Sequence, residues 1–278
     1  MNDTNLPAWT AKYANGERMS NAQAYAEYAS YFCVDGTADS EPGIEERLAP
    51  ASPLLRPYAS RTGTKTTLAN MRKMGWSILV SAAGVLRTEH FERWALDNGA
   101  WSAYQQGKSF DEDAFSRAID KVGEGADWVV LPDIVAGGMA SLDLSLKWLH
   151  RLRGMPEQQL IAVQDGMCVD DVRDYLGPMV GLFIGGSTPW KLATLDAWSA
   201  LARRKGCYLH VGRVNSLKRI NACAQVGANS FDGTSIIAFP DSINMLTRGV
   251  ISSQQQQSLF NPRTKELSEV DYDCGWQM

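Results

Sequence analysis

Short apolar segments separated by more polar stretches give the chain a regular pattern from about residue 75 onward. The apolar segments are rich in β-branched and aromatic side chains, which is typical of buried strands. They lie at residues 76–80, 94–96, 128–131, 160–163, 182–184, 208–211 and 230–231. Helix-like stretches lie between most of them, at residues 111–121, 141–152, 169–176, 192–205 and 216–225. This alternation predicts parallel strands joined by crossover helices.

The residues that follow the predicted strands favour a closed barrel over an open sheet. An open doubly wound sheet usually carries a glycine-rich phosphate loop after its first strand, and none is present. Polar residues or glycines follow most strands instead, and in a barrel these C-terminal ends meet at one mouth. They are Asp97, Asp133, Gln164, Gly185, Gly186, Gly212 and Asp232. We therefore predict an α/β fold, a (β/α)8 TIM-like barrel, whose eighth strand lies either in the early segment or around residues 236–239.

The first part of the chain differs from this pattern. Residues 34–43 and 48–57 are rich in Gly, Pro, Ser and acidic residues, which is typical of loops. We predict an N-terminal extension over residues 1–60, the barrel over residues 61–260 and a C-terminal tail over residues 261–278. A chain of 278 residues with 45% hydrophobic content is sufficient for one core of this kind.

Charge and cysteine content limit the classes of function. A net charge of −4 argues against a protein that coats nucleic acid non-specifically, but it allows one local basic face. No apolar run is long enough to span a bilayer, and the N-terminus lacks a secretory pattern. The five scattered cysteines predict reduced thiols, and no CxxC or HxxxH spacing indicates a metal site. We expect a cytoplasmic protein with no membrane partner, no metal and no organic cofactor.

Two aspartates are the strongest candidates for chemistry. Asp97 in LDNGAW and Asp232 in SFDGTS each follow an apolar strand and precede a glycine-containing turn. Either one alone is compatible with capping the next helix. Two such aspartates at one barrel mouth favour chemistry at an anomeric carbon, with one as nucleophile and the other as acid/base, or with one as acid and the other as base.

Several other residues are candidates for binding the substrate at the same mouth. Gln164 can donate and accept hydrogen bonds, as recognition of a purine edge requires. Gly185 and Gly186 either let a ligand approach the backbone closely or simply form a tight turn. Trp101 offers a stacking surface for a base, or packs in the core. His210 either reaches the mouth or lies hydrogen-bonded in the core. The full set is Trp101, Asp133, Gln164, Gly185, Gly186, His210 and Gly212.

In their order along the chain, these motifs resemble those of the tRNA-guanine transglycosylase superfamily, and most closely its DNA-directed, DpdA-type branch in phages and bacterial islands. LDNGAW resembles the family's Asp-Ser-Gly-Gly-aromatic motif, VQDG its Val-Gln-Gly strand, and FIGGS its double glycine. LPDIV resembles the strand with a purine-reading aspartate, LHVG a Leu-Met-Gly-Val-Gly strand, and SFDG a Met-Phe-Asp-Cys stretch. The segment SRTGTKTTLANMRKMGW also resembles the start of the DNA-modifying branch.

The resemblance implies that Asp232 is a nucleophile and Asp97 a proton carrier. It implies base-binding roles for Trp101, Asp133, Gln164, Gly185 and Gly186. The family's tRNA enzymes carry a CxCxxC site with a distant His after the nucleophile, and this chain has only Cys274 there. The zinc subdomain is therefore expected to be absent, which favours DNA over tRNA. The implied reaction exchanges guanine in DNA for a 7-deazaguanine base, such as 7-cyano-7-deazaguanine, through a covalent aspartyl intermediate.

Binding of DNA requires a local basic rim, for which the candidates are Arg61, Lys65, Arg87 and Arg213. Arg213 directly follows Gly212, and it either contacts the target phosphate or forms a salt bridge across the mouth. Alternative functions are a tRNA-guanine transglycosylase-like enzyme, a barrel hydrolase or lyase acting on glycosides or nucleosides, and a non-catalytic partner subunit. The presence of both aspartates argues against the last. The setting implied is a bacterial or phage-infected cell, with a homodimer as one alternative assembly.

Overall fold

The structure is a computed structural model that describes residues 54–152, 156 and 158–260. Eight strands of the described chain form a closed barrel, in which each strand pairs in parallel with its neighbours and β8 pairs back with β1. The strands are β1 (Arg56–Ser60), β2 (Ser77–Ser81), β3 (Trp94–Asp97), β4 (Val129–Val130), β5 (Gln159–Val163), β6 (Val180–Ile184), β7 (Leu209–Val211) and β8 (Ser230–Gly233).

Helices connect most successive strands and surround the barrel. They are α1 (Lys65–Lys73), α2 (Ala100–Gln105), α3 (Glu112–Val122), α4 (Met139–Leu152), α5 (Val169–Val172), α6 (Thr188–Lys205), α7 (Leu217–Gln225), α8 (Ser235–Ala238) and α9 (Ile243–Phe260). Local sequence explains several of their ends. The Asp111 carboxylate accepts the Ala114 N–H at the start of α3, and Gly206, with a φ of 60°, ends α6 in the left-handed region. None of the described helices is long and apolar enough to cross a membrane.

The barrel predicted from the sequence is confirmed, and the seven predicted strands all lie in it. The eighth strand is Arg56–Ser60, which lies within the segment that we assigned to the N-terminal extension. The barrel therefore begins before residue 61, and the predicted boundary at that position is wrong. The rest of the predicted extension, residues 1–53, and the predicted tail, residues 261–278, lie outside the described residues.

The alternative position for the eighth strand, around residues 236–239, is wrong because this segment begins as helix α8. The side-chain oxygen of Asn215 accepts the N–H groups of Thr234, at 2.8 Å, and Ser235, at 3.1 Å. Those N–H groups have no intrahelical partner at the start of a helix, so Asn215 supplies the missing acceptor. This contact comes from the loop after β7 and is not visible in the sequence of α8 itself.

Alternate residues of the strands belong to two separate hydrophobic clusters. The larger cluster lies between the barrel and its helices, and includes Ile78, Leu96, Ile161 and Phe231. The smaller one fills the interior of the barrel with Tyr58, Leu79, Ala95, Trp128, Val130, Leu160 and Ala162, against which Phe183 and Tyr208 pack. Because side chains alternate along a strand, the inward row of β3 continues to Asp97 and that of β5 continues to Gln164.

Candidate active site

Asp97 and Asp232 lie at the C-terminal end of the barrel, as their sequence positions predict. Asp97 is the last residue of β3, and Asp232 lies near the end of β8. Burial and the negative charge of Asp232 together raise the pKa of the Asp97 carboxyl to about 6, although the Gly99 N–H, which donates to Asp97 at 3.1 Å, lowers it. A group with this pKa can release and take up a proton near neutral pH.

Asp232 is almost fully buried, and each of its oxygens accepts a hydrogen bond. Oδ2 lies 3.0 Å from Nε2 of His210, and Oδ1 accepts the backbone N–H of Arg213 at 3.2 Å. The register of β8 places Asp232 opposite Tyr58 of β1. The carboxylate is therefore held from β7 and from the loop that follows it.

His210 is fully buried beneath Asp232 and does not reach the mouth. Its ring stacks on Phe183, with centroids 4.9 Å apart, and lies 4.4 Å from the ring of Trp128. Burial lowers the pKa of His210, although Asp232 opposes this shift, so the ring is neutral. The predicted substrate-binding role of His210 is therefore corrected, because its side chain has no surface with which to contact a substrate.

Asn98 links two candidate residues and was not singled out from the sequence. Its amide nitrogen donates to Oδ1 of Asp133, at 2.8 Å, and to the carbonyl of Leu131, at 2.7 Å. Its own side-chain oxygen accepts the Ala100 N–H at 2.8 Å, which starts helix α2. Burial raises the pKa of Asp133 to about 6, and the bond from Asn98 limits that rise. The only feature of the sequence that could have indicated this role of Asn98 is its position directly after Asp97.

Gln164 is buried, and both ends of its amide are bound to the loop after β4. Its oxygen accepts the Ala136 N–H at 2.6 Å, and its nitrogen donates to the Ile134 carbonyl at 2.8 Å. The backbone of Gly185 is likewise engaged, because its N–H donates to the Val163 carbonyl at 2.8 Å. Neither group presents its main donor to the mouth in this conformation, which differs from the base-reading geometry expected of them.

Arg213 crosses the mouth and contacts two of the predicted binding residues. Its guanidinium lies 4.5 Å from the ring centroid of Trp101 and donates to the carbonyl of Gly186. Trp101 remains 40% exposed. We call this contact between Arg213, Trp101 and Gly186 the Arg213 bridge. A salt bridge across the mouth was one of the two alternatives predicted for Arg213. The partners of its guanidinium are instead an aromatic face and a carbonyl.

Gly212 sits in a crowded backbone position before Arg213. Its carbonyl accepts a hydrogen bond from the buried ammonium of Lys191, and its N–H donates to the Ile184 carbonyl at 3.0 Å. Burial lowers the pKa of Lys191 to about 8. A Cβ at Gly212 would lie 2.8 Å from the ring of Phe183, so only glycine fits. Lys191 was not singled out from the sequence, where it directly precedes the helix predicted over residues 192–205.

The other three predicted basic residues differ in their surroundings. Arg61 forms an ion pair with Glu89, whereas Lys65 and Arg87 are exposed. Arg61 also lines a cavity of about 100 Å³ beside Asp97, together with Ser60, Leu79 and Ser81. A space of this size admits a few water molecules at most.

Among the described residues, no group of three or more His, Cys, Asp or Glu side chains is arranged to hold a metal ion.

No family model matches the chain, and no curated protein sequence matches it. Two solved structures with a similar fold are tryptophan synthase alpha subunits, at identities too low to indicate a shared reaction. The one from Legionella pneumophila is 12% identical with a TM-score of 0.42, covering 86% of this chain and 95% of that chain. The one from Pyrococcus furiosus is 12% identical with a TM-score of 0.39, covering 76% and 97%.

Proposed function

We propose that this protein is a DNA-guanine transglycosylase, which exchanges guanine in DNA for a 7-deazaguanine base through a covalent intermediate on Asp232. The observation that carries the proposal is the pair of carboxylates at the barrel mouth. Asp232 accepts hydrogen bonds on both oxygens, while burial and the charge of Asp232 hold the pKa of Asp97 near 6. Two carboxyl groups with different surroundings suit the two roles of nucleophile and proton carrier.

In the first half of the reaction, the target nucleotide is extruded from its strand, because the anomeric carbon is inaccessible within a stacked duplex. An oxygen of Asp232 attacks C1′ and forms an ester as the bond from C1′ to guanine N9 breaks. The electron pair of that bond leaves with guanine, which takes the proton of Asp97. The products are a glycosyl-enzyme ester, free guanine and an ionised Asp97.

In the second half, a 7-deazaguanine base such as 7-cyano-7-deazaguanine replaces guanine in the pocket. Its N9 attacks C1′, the ester bond breaks, and the Asp232 carboxylate is restored. The N9 proton passes to Asp97, which returns the protein to its starting state. Two displacements at one carbon retain the configuration of the sugar, and the exchange needs no external energy source.

The Arg213 bridge bears on recognition of the base. A base that stacks on Trp101 must take the place of the Arg213 guanidinium, because that group already covers the ring at 4.5 Å. We propose that the displaced guanidinium then binds a DNA phosphate, beside the exposed Lys65 and Arg87. Asp133 and the backbone of Gly186 are the groups that we expect to contact the edge of the base.

The test is incubation of the full chain with DNA containing labelled guanine and an excess of 7-cyano-7-deazaguanine, followed by mass spectrometry of the nucleosides. The expected result is incorporation of the deazaguanine with release of an equal amount of guanine. A denaturing gel should show DNA attached to the wild-type chain when the incoming base is withheld, and none with Asp232→Ala. Absence of both products on single- and double-stranded DNA would contradict the proposal, and exchange into tRNA alone would redirect it to the RNA substrate.

A nucleoside hydrolase is a second candidate, and one observation favours it. Arg61 and Arg213, two of the four basic residues expected at the DNA interface, are engaged within the protein. In a hydrolase, water replaces the incoming base as the second nucleophile. Release of guanine from free guanosine without incorporation of a new base would support this candidate over base exchange.

A further inference from the structure

A row of hydrogen-bonding side chains runs from the interior of the barrel to Asp232. The Tyr208 hydroxyl donates to Oγ of Ser230 at 2.9 Å, and this oxygen lies 2.7 Å from Nδ1 of His210. Nε2 of His210 lies 3.0 Å from Oδ2 of Asp232. Ser230 and His210 have no exposed surface, and Asp232 is 5% exposed. We call these four residues the Asp232 chain.

Counting protons fixes the direction of each hydrogen bond in the Asp232 chain. An ionised Asp232 has no proton to donate, so the contact at 3.0 Å requires a proton on Nε2 of His210. A neutral imidazole carries only one N–H, so Nδ1 is an acceptor. The Ser230 hydroxyl therefore donates to Nδ1, and its oxygen is left to accept from Tyr208. Every donor in the row points toward Asp232.

The surroundings of the ring hold His210 in its neutral form. Aromatic rings of Trp128 and Phe183 contact it, and the ring of Tyr58 on β1 lies 6.1 Å away. Asp232 on β8 favours a proton on the ring, whereas burial and the charge of Lys191 on α6 oppose one. A second proton would create a charge in an apolar interior, which is costly.

We propose that His210 is a positioning residue, which holds the nucleophilic carboxylate of Asp232 in its reactive orientation through a fixed Nε2–H tautomer. This inference rests on the proposed role of Asp232 in base exchange. The Arg213 N–H holds Oδ1 from the mouth side, at 3.2 Å, and His210 holds Oδ2 from inside the barrel. The carboxylate is thereby fixed at both oxygens, with their remaining lone pairs free for attack on C1′.

The first test reads the tautomer directly and does not depend on activity. The chain has three histidines, so nitrogen-15 spectra of histidine-labelled protein contain few signals, and the His210 signal is the one lost in His210→Gln. At about pH 7 we expect the neutral ring in its Nε2–H tautomer. An Nδ1–H tautomer, or a doubly protonated ring at neutral pH, would overturn the inference.

The second test compares His210→Leu with His210→Gln in the full chain. Leucine lacks a donor, so Oδ2 of Asp232 loses its hydrogen bond and the carboxylate is free to rotate. The rate of glycosyl-enzyme formation should fall about a hundred-fold. Glutamine places an amide N–H near the position of Nε2, and it should restore most of the rate. KM for the incoming base should change little in either variant.

The outcomes separate this inference from the proposed function. Normal exchange by His210→Leu, or an equal loss of rate in His210→Leu and His210→Gln, would overturn the positioning role and leave the proposed function intact. No exchange by the wild-type chain would overturn the proposed function, and with it the catalytic part of this inference. The nitrogen-15 spectrum would still decide whether the Asp232 chain has the direction described. If His210→Leu does not fold, the spectrum and His210→Gln carry the test.

Discussion

The two halves of the barrel mouth differ in how their polar groups are used. On the side of β8 and β3, Asp97 lines a small cavity and Asp232 is held by His210 from the barrel interior, and these are the proposed proton carrier and nucleophile. On the side of β5 and β6, Gln164 and the Gly185 N–H are already bonded to the backbone. We call these the reactive half and the recognition half.

The difference indicates that the reactive half is preorganised and the recognition half is not. Groups that act on the bond being broken are most effective when their geometry is fixed before the substrate arrives. Groups that read a base can instead exchange one set of hydrogen bonds for another when it binds. The Arg213 bridge fits this division, since it covers Trp101 until a base takes its place.

The largest effect is expected from Asp232→Asn, in the reactive half. An amide cannot form the glycosyl ester, so base exchange should fall by about four orders of magnitude or more. His210 Nε2–H can still donate to the amide oxygen, so folding should be preserved. Exchange kinetics and a circular-dichroism melt measure the two effects, and Asp143→Asn, on the exposed side of α4, is the matched control. Wild-type exchange by Asp232→Asn would rule out this nucleophile.

Asp97→Asn should produce the next largest loss, about two to four orders of magnitude, because guanine leaves without its proton. In the wild type, Asp97 must be protonated for this step, and its pKa is raised to about 6. The rate of glycosyl-enzyme formation should therefore fall as pH rises through about 6, and Asp97→Asn should lack this alkaline limb of the pH profile. A pH series of single-turnover rates measures both. An unchanged alkaline limb in Asp97→Asn would assign the titration to another group.

A smaller effect, on stability, is expected from Gln164→Ala in the recognition half. The change removes the hydrogen bonds to the Ala136 N–H and the Ile134 carbonyl. Both residues are exposed, so water can replace the lost partner, and the expected cost is about 0.5–1.5 kcal/mol per bond. Denaturant unfolding measures this loss, and Gln225→Ala, on the exposed end of α7, is the control. An unchanged unfolding free energy combined with lost base binding would show that Gln164 reads the base instead.

Arg213→Ala should have the smallest effect. It removes one cation from the mouth, so DNA affinity should fall and its salt dependence should flatten by about one phosphate contact. Binding of the free base should be unchanged or improved, because the face of Trp101 is uncovered. Titrations at several salt concentrations provide the measurement, with Arg151→Ala, at the opposite end of the barrel, as the control. An unchanged salt slope would remove Arg213 from the DNA interface.

The fold was largely predictable because strand and helix patterns are local. Apolar segments such as residues 160–163 were recognisable without knowledge of their neighbours. The segment RPYAS of β1 was not, because proline, arginine and serine do not form an apolar run. It is a strand because β2 and β8 both pair with it, and because Tyr58 fills the barrel interior. Those are contacts between distant parts of the chain.

The site was predictable in its positions and less so in its contacts. Asp97 and Asp232 could be found because a barrel gathers the C-terminal ends of its strands. The bonding of Gln164 to the loop after β4, and the contact between Arg213 and Trp101, depend on distances between different loops. His210 is buried because its side chain belongs to the inward-facing row of β7. The sequence alone allowed it either to reach the mouth or to lie in the core. Side-chain partners across strands are set by register, which no single segment encodes.

The pairing of β1 with β8 has a consequence for the order of events during synthesis. These two strands are the first and last of the barrel, and Asp232 lies on their shared seam, opposite Tyr58. A nascent chain emerges from its N-terminal end, so β1 must wait for nearly the whole barrel before it gains this partner. Closing so long a loop is slow relative to forming local contacts. Asp232, the proposed nucleophile, therefore acquires its surroundings only when the ring of strands closes, so a truncated nascent barrel should lack the proposed activity.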